Sequence, residues 1–295
     1  CDWSSDVCSS DLHSLLGLFL TLLCLTVTVR GDNASNYSSE IAQEMVYFSA
    51  AAYCQDAGQT NVTDWNCKAC QLVPSFQVYS VADDPKTNTF AYAGYYSQYD
   101  AIVVAFRGTE PKSWKNWVTN LDIAELAPYK DDPSAKVCKG FYDAWLGVEA
   151  NITSDVQHLL QLHPAASLWI TGHSLGAALS TLSAQHFVDL GYGESIMHYS
   201  FGSPRVGNKD FALFQTGNLT HSFRVTHWRD LIPHAPTTMQ GYHHIGTEVF
   251  YNEASTNYTV CSGTGEDPNC SDQFWFDYSI ADHTVYLGFH LSDSC

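Results

Sequence analysis

The chain has 295 residues, 45% of them apolar and 15% charged, which excludes a disordered tail and fits one large α/β domain or two small ones. Thirteen Lys and Arg face 31 Asp and Glu, a formal charge of −18, so the surface repels phosphate backbones and no nucleic-acid partner is expected. Seventeen Tyr, 15 Phe and 8 Trp leave aromatic surface to spare for an apolar ligand.

Residues 1–12 resemble the in-frame translation of a sequencing adapter, and are set aside as a scar that carries no fold information. Residues 13–31 read as a secretory signal. Their apolar run, Leu15 to Val29, is too short for a comfortable bilayer span, and Val29 and Gly31 suit the −3 and −1 places of a cleavage site. On this reading a single domain runs from Asp32 to Cys295, with no stable membrane span. Seven Asn-X-Ser/Thr sequons, at Asn33, Asn36, Asn61, Asn151, Asn218, Asn257 and Asn269, agree with secretion. Outside the first 31 residues seven cysteines remain, an odd number that leaves one thiol free. Cys67-Lys68-Ala69-Cys70 could be half a zinc site or a redox pair. No second pair follows at zinc spacing and the compartment is oxidising, so disulfides are the expectation.

Ser39 is placed to cap a helix from Glu40 to Ala52, with Ile41, Met45, Phe48 and Ala52 on its buried face. Phe76 to Ser80, Thr89 to Tyr95 and Ala101 to Phe106 are β-rich, the first two separated by a turn-prone stretch. Helices and strands then alternate: helix Phe141 to Leu162, strand Leu168 to Thr171, helix Leu175 to Leu190, and strands Ile196 to Phe201 and Phe223 to Thr226. Such alternation predicts a mostly parallel central sheet covered on both faces.

In sheets of this kind chemistry gathers beyond the carboxyl ends of the strands. One such place carries Gly172-His173-Ser174-Leu175-Gly176, a Gly-X-Ser-X-Gly between a strand and a small-residue helix. A sharp turn that pushes Ser174 outward brings its flanking residues too close to strand and helix for side chains, which explains both glycines. A serine hydroxyl attacks well only when an imidazole takes its proton and a carboxylate orients that imidazole. Asp230, beyond the strand Phe223 to Thr226, is the candidate acid. His283 and His290 both come late enough to be the base, and periodicity does not separate them.

Phe106-Arg107-Gly108-Thr109, the serine pentapeptide, Phe201-Gly202-Ser203-Pro204-Arg205-Val206-Gly207, Arg229-Asp230-Leu231-Ile232-Pro233 and Asp282-His283-Thr284-Val285-Tyr286-Leu287-Gly288 together resemble the class 3 lipases, the fungal Rhizomucor-like family related to feruloyl esterases. The resemblance runs from about Ile41 to Cys295 and implies an α/β-hydrolase fold with a helical lid. It implies Ser174 as nucleophile, Asp230 as orienting acid, and His283 rather than His290 as base. The backbone N–H groups of Leu175 and Thr109 would form the oxyanion hole. It also implies bridges Cys54–Cys295, Cys67–Cys70 and Cys261–Cys270. Cys138 departs from the pattern, standing where the family usually has a His, and reads as a buried free thiol.

Beyond Thr109, Trp114, Trp117, Val118 and Leu121 fall at i, i+3, i+4 and i+7 behind the ready cap Ser113, one apolar stripe on a helix. It resembles the family's mobile lid. The function expected is a secreted, monomeric triacylglycerol lipase, activated at an oil–water interface and needing no cofactor. Phospholipase, galactolipase and feruloyl esterase activities are alternatives within the family, and a non-catalytic lipid-binding module is one outside it. His243 and His244 are not assigned to a metal, because neighbours on a strand point to opposite faces.

Overall fold

A computed structural model describes residues 37–55, 61–109, 121–274 and 276–295. The adapter-like start, the signal segment, Asn33, Asn36, Ser113, Trp114, Trp117 and Val118 lie outside them. Helix α1 (Ser39–Ala51) opens the described chain. Its cap is Ser38 rather than Ser39: Ser38 has the extended backbone a cap needs, and its hydroxyl accepts from Ile41 N at 3.2 Å. Met45, Phe48 and Ala52 are buried as expected and Ile41 only in part, whereas Ala42, Val46 and Ser49 widen the buried face.

Eight strands form one sheet in the order of the sequence: β1 (Phe76–Asp84), β2 (Thr89–Tyr96), β3 (Ala101–Phe106), β4 (Ser167–His173), β5 (Ile196–Phe201), β6 (Ser222–His227), β7 (Glu248–Tyr251) and β8 (Tyr258–Val260). From β3 to β7 neighbours run parallel; β1, β2 and β8 are antiparallel additions at the two ends. Helices α2 (Lys139–Leu162), α3 (Leu175–Asp189) and α4 (Lys209–Asn218) complete the frame. Strand β3 shows why the sheet sits between two layers. Its unbroken apolar run alternates Ile102, Val104 and Phe106 into a core shared with α2 and α3, and Val103 and Ala105 into a core shared with α1.

Sequence patterning does not reveal β7, β8 or α4. The first is a four-residue strand that buries a glutamate, the second an exposed three-residue edge, and the third a short helix with Gly217 near its end, begun by Asn208, whose side chain accepts from Phe211 N at 2.9 Å. Three disulfides are closed, Cys54–Cys295, Cys67–Cys70 and Cys261–Cys270, and Cys138 is a buried thiol. Burial pushes the Cys138 thiol up, and it donates to the Asp122 carbonyl at 3.2 Å, the behaviour of a small core residue. Asn151, Asn218, Asn257 and Asn269 are exposed. No helix among the described residues is long and apolar enough to cross a membrane.

Candidate active site

Strand β4 ends at His173 and α3 begins at Leu175, so Ser174 alone makes the turn between them, at φ 61°, ψ −126°. A positive φ strains a side-chain-bearing residue and persists only where its surroundings fix it. Here Ser174 N–H donates to Phe201 O of β5 at 3.0 Å, and the Ser174 carbonyl accepts from Ala177 N at 3.0 Å. A Cβ on Gly172 would lie 2.2 Å from the Gly176 oxygen, and one on Gly176 would lie 2.2 Å from the Phe106 oxygen. The two glycines therefore let strand, turn and helix pack backbone to backbone. Ser174 is buried, and its hydroxyl has no hydrogen-bond partner among the described residues.

Asp230 follows β6 and is held by its own N–H on the His227 carbonyl at 3.0 Å. Both its oxygens are engaged: Oδ1 accepts from Ile232 N at 2.8 Å, and Oδ2 from His283 Nδ1 at 2.7 Å and from the Tyr286 hydroxyl. Asp230, His283 and Tyr286 are all buried, so this charge-assisted bond acts in a low dielectric. A carboxylate accepts, so Nδ1 carries the hydrogen and Nε2 on the far edge is the basic nitrogen. His283, not His290, meets Asp230, and His290 is exposed.

The acid–imidazole pair and the serine turn share one corner of the protein. A Cβ on Gly202 would stand 2.9 Å from both Asp230 Oδ2 and His283 Cε1, and Gly202 directly follows Phe201, whose carbonyl holds Ser174 N. The His173 and His283 rings lie 4.4 Å apart. Leu175 is the first residue of α3, so its N–H has no carbonyl within the helix and is available to an anion. Thr109 follows Gly108, where a Cβ would come within 3.0 Å of Ser174 Cβ, so the segment carrying Thr109 lies beside the turn. Leu121 packs partly buried against the core near Gly140.

Sequence reading missed three polar partners of this corner, Tyr286, Tyr53 and His173. The available signal for Tyr286 is its position three residues after His283; for His173, its place inside the pentapeptide. No local pattern points to Tyr53. His243 and His244 each spend a ring nitrogen on a backbone carbonyl, and the sulfurs of the Cys261, Asp267 and Cys270 cluster are bonded to each other, so neither group presents a metal-binding set.

Comparison with known proteins gives a family match, "Lipase (class 3)", over residues 103–240. The chain is 30% identical to a lipase of Rhizopus niveus over 246 residues, 81% of this chain and 61% of the relative, so it spans about three-fifths of that protein's length. It is 30% identical to a secreted mono- and diacylglycerol lipase of Penicillium cyclopium over 214 residues, 72% of this chain and 68% of the relative. A solved triacylglycerol lipase, described as having a serine-protease triad at its catalytic centre, superposes with a TM-score of 0.77 at 27% identity, covering 86% of this chain and 97% of that one. The shared architecture is the α/β-hydrolase fold, with its mostly parallel sheet and helices on both faces.

Proposed function

The chain belongs to the class 3 lipases, and from that premise we propose that it is a serine hydrolase of lipid carboxylic esters, with triacylglycerol as principal substrate. The observation that carries this reading is the buried 2.7 Å bond from His283 Nδ1 to Asp230 Oδ2 beside the strained Ser174 turn. His283 Nε2 takes the Ser174 proton as Oγ attacks the ester carbonyl. The resulting oxyanion draws on the N–H groups of Leu175 and Thr109. Collapse expels the alcohol, which leaves with the proton held on His283. Water, deprotonated by the same imidazole, then releases the fatty acid and restores Ser174.

The preference for aggregated lipid rests on two features. The stripe of Trp114, Trp117, Val118 and Leu121 reads as a lid whose opening exposes apolar surface. Each Trp offers about 150–250 Å², and at about 25 cal/mol per Å² exposing half of two such rings in water costs several kcal/mol, a cost that a lipid surface removes. Outside that segment, Met239 and Phe276 are 95% and 94% exposed, and Phe276 lies three residues before Ser279, which bridges to Asp230. Large apolar side chains this exposed suit contact with a lipid phase. The signal-like segment, the exposed sequons and the secreted relative support an extracellular enzyme, and we take it to act as a monomer.

Initial rates on emulsified triacylglycerol, diacylglycerol, phospholipid and methyl ferulate, measured side by side across the solubility limit of a short-chain triacylglycerol, test the reading. The expected result is fastest cleavage of triacylglycerol with a sharp rise once droplets form. A smooth saturating curve through the limit would overturn the interfacial part. Faster cleavage of another ester would overturn the substrate assignment.

A further inference from the structure

Tyr53 and His173 take no part in the chemistry above, yet they are bonded to each other next to it. Tyr53 Oη lies 2.7 Å from His173 Nδ1, and His173 Nε2 lies 2.8 Å from the backbone carbonyl oxygen of His283. A carbonyl can only accept, so Nε2 bears the hydrogen; in the neutral ring Nδ1 is then a bare acceptor and the Tyr53 hydroxyl donates to it. The Tyr53 hydroxyl also packs closely on the backbone of Gly108. A Cβ on Gly108 would fall 2.1 Å from that hydroxyl, so the approach requires glycine. The bonds form one directed chain, from Tyr53 to His173 to the His283 carbonyl, and its Tyr53 end is packed on Gly108.

Its two ends are the segments whose spacing sets the reaction. Gly108 precedes Thr109, and the carbonyl belongs to His283 itself. The chain also has fixed protonation. Burial, and then the neighbouring His283, hold His173 well below the ordinary imidazole range, while burial drives the Tyr53 phenol above its own. Tyr53 is further anchored through Cys54, the next residue, which is bridged to Cys295. A fully satisfied buried network of this type has a single arrangement and resists displacement of either end.

We propose that Tyr53 and His173 are positioning residues that hold the Thr109 oxyanion segment and the His283 base in register through this chain. The inference rests on the reading of Ser174, Asp230 and His283 as the triad. A small shift between donor and base is felt mainly in the transition state, so disruption lowers kcat and spares ground-state binding.

The test measures kcat and KM on p-nitrophenyl butyrate below its solubility limit, with thermal melts, for the wild type, Tyr53→Phe, His173→Gln, His173→Phe and the double variant Tyr53→Phe/His173→Gln. Tyr53→Phe is expected to lower kcat by about 10- to 100-fold with little change in KM. His173→Gln, which keeps an acceptor and a donor, should retain more kcat than His173→Phe, whose ring better matches the packing. The double variant should lose little more than the worse single variant, because one chain is broken once. Should His173→Phe fail to fold, Tyr53→Phe and the double variant decide. Folded variants with wild-type kcat, losses that multiply in the double variant, or His173→Phe outperforming His173→Gln would overturn the proposal. A wild-type protein that cleaves no ester would instead overturn the triad reading beneath it.

Discussion

Replacing Asp230 by Asn is the most informative single change, because the structure fixes how the new amide must sit. In the wild type Oδ1 accepts from the Ile232 N–H at 2.8 Å and Oδ2 accepts from His283 Nδ1 at 2.7 Å and from Tyr286. An amide has one acceptor end. Turned with its oxygen to His283, it would set its NH₂ against the Ile232 N–H, two donors face to face in a buried site, at a cost of about 1–3 kcal/mol. It therefore keeps oxygen toward Ile232 and offers NH₂ to the imidazole. His283 must answer with a bare Nδ1, which moves its hydrogen to Nε2 and removes the base from the serine. In a Ser-His-Asp site the wrong tautomer lowers kcat by about 10⁴-fold, or roughly 5.5 kcal/mol of transition-state stabilisation. The assay is kcat on a soluble ester near neutral pH, with a melting curve to show that the variant is folded. A folded Asp230→Asn protein within tenfold of wild type would refute the reasoning.

Other consequences can be measured independently. His173, His198, His234 and His244 are held below the ordinary imidazole range by burial above all, to about 3 for His198 and about 4 for His234. Unfolding frees them to bind protons below about pH 6.5, so the stability they support is complete above that pH and declines toward acid, by up to about 1.4 kcal/mol per pH unit for each. Asp272, pushed up to about 6 by burial and the adjacent Glu266, acts in the opposite sense, as do Glu44 and Asp189, which burial raises, while His186, lowered by burial, adds to the four histidines. Urea midpoints should therefore fall from pH 7 to 5; a flat or rising profile would contradict this. Removing the Cys54–Cys295 bridge by Cys54→Ser, which frees a 241-residue separation, should lower stability by about 2–4 kcal/mol in chemical denaturation, and an unchanged midpoint would count against a structural role. Met239→Ser with Phe276→Ser should weaken hydrolysis of emulsified lipid about tenfold or more, from the apolar burial lost at the interface, and leave a dissolved ester unaffected. Equal losses on both substrates would exclude an interfacial role.

Much of the fold was legible because parallel strands buried on both faces must be apolar throughout, as in Ala101–Phe106, and because the long helix Lys139–Leu162 repeats its apolar residues at helical spacing. The elements that escaped are short or mixed. Glu248 sits inside β7 because it bonds Arg224 and Thr226, partners from the adjacent strand that a local pattern cannot show. The choice between Ser38 and Ser39 as cap likewise depends on backbone angles. At the site, the Gly172 and Gly176 spacing declared the turn around Ser174, since those contacts are local. Selection of His283 over His290 came only with the family resemblance and then with the contact to Asp230, made across 53 positions. Tyr53 was invisible for the same reason, being 120 positions from the ring it meets.

The most direct test of the account is hydrolysis of emulsified tributyrin by purified Ser174→Ala protein beside the wild type. Loss of the nucleophile should lower turnover by about a millionfold, leaving only what oxyanion stabilisation and binding supply. Ester cleavage that survives at a rate near wild type would show that the chemistry is done elsewhere in the molecule.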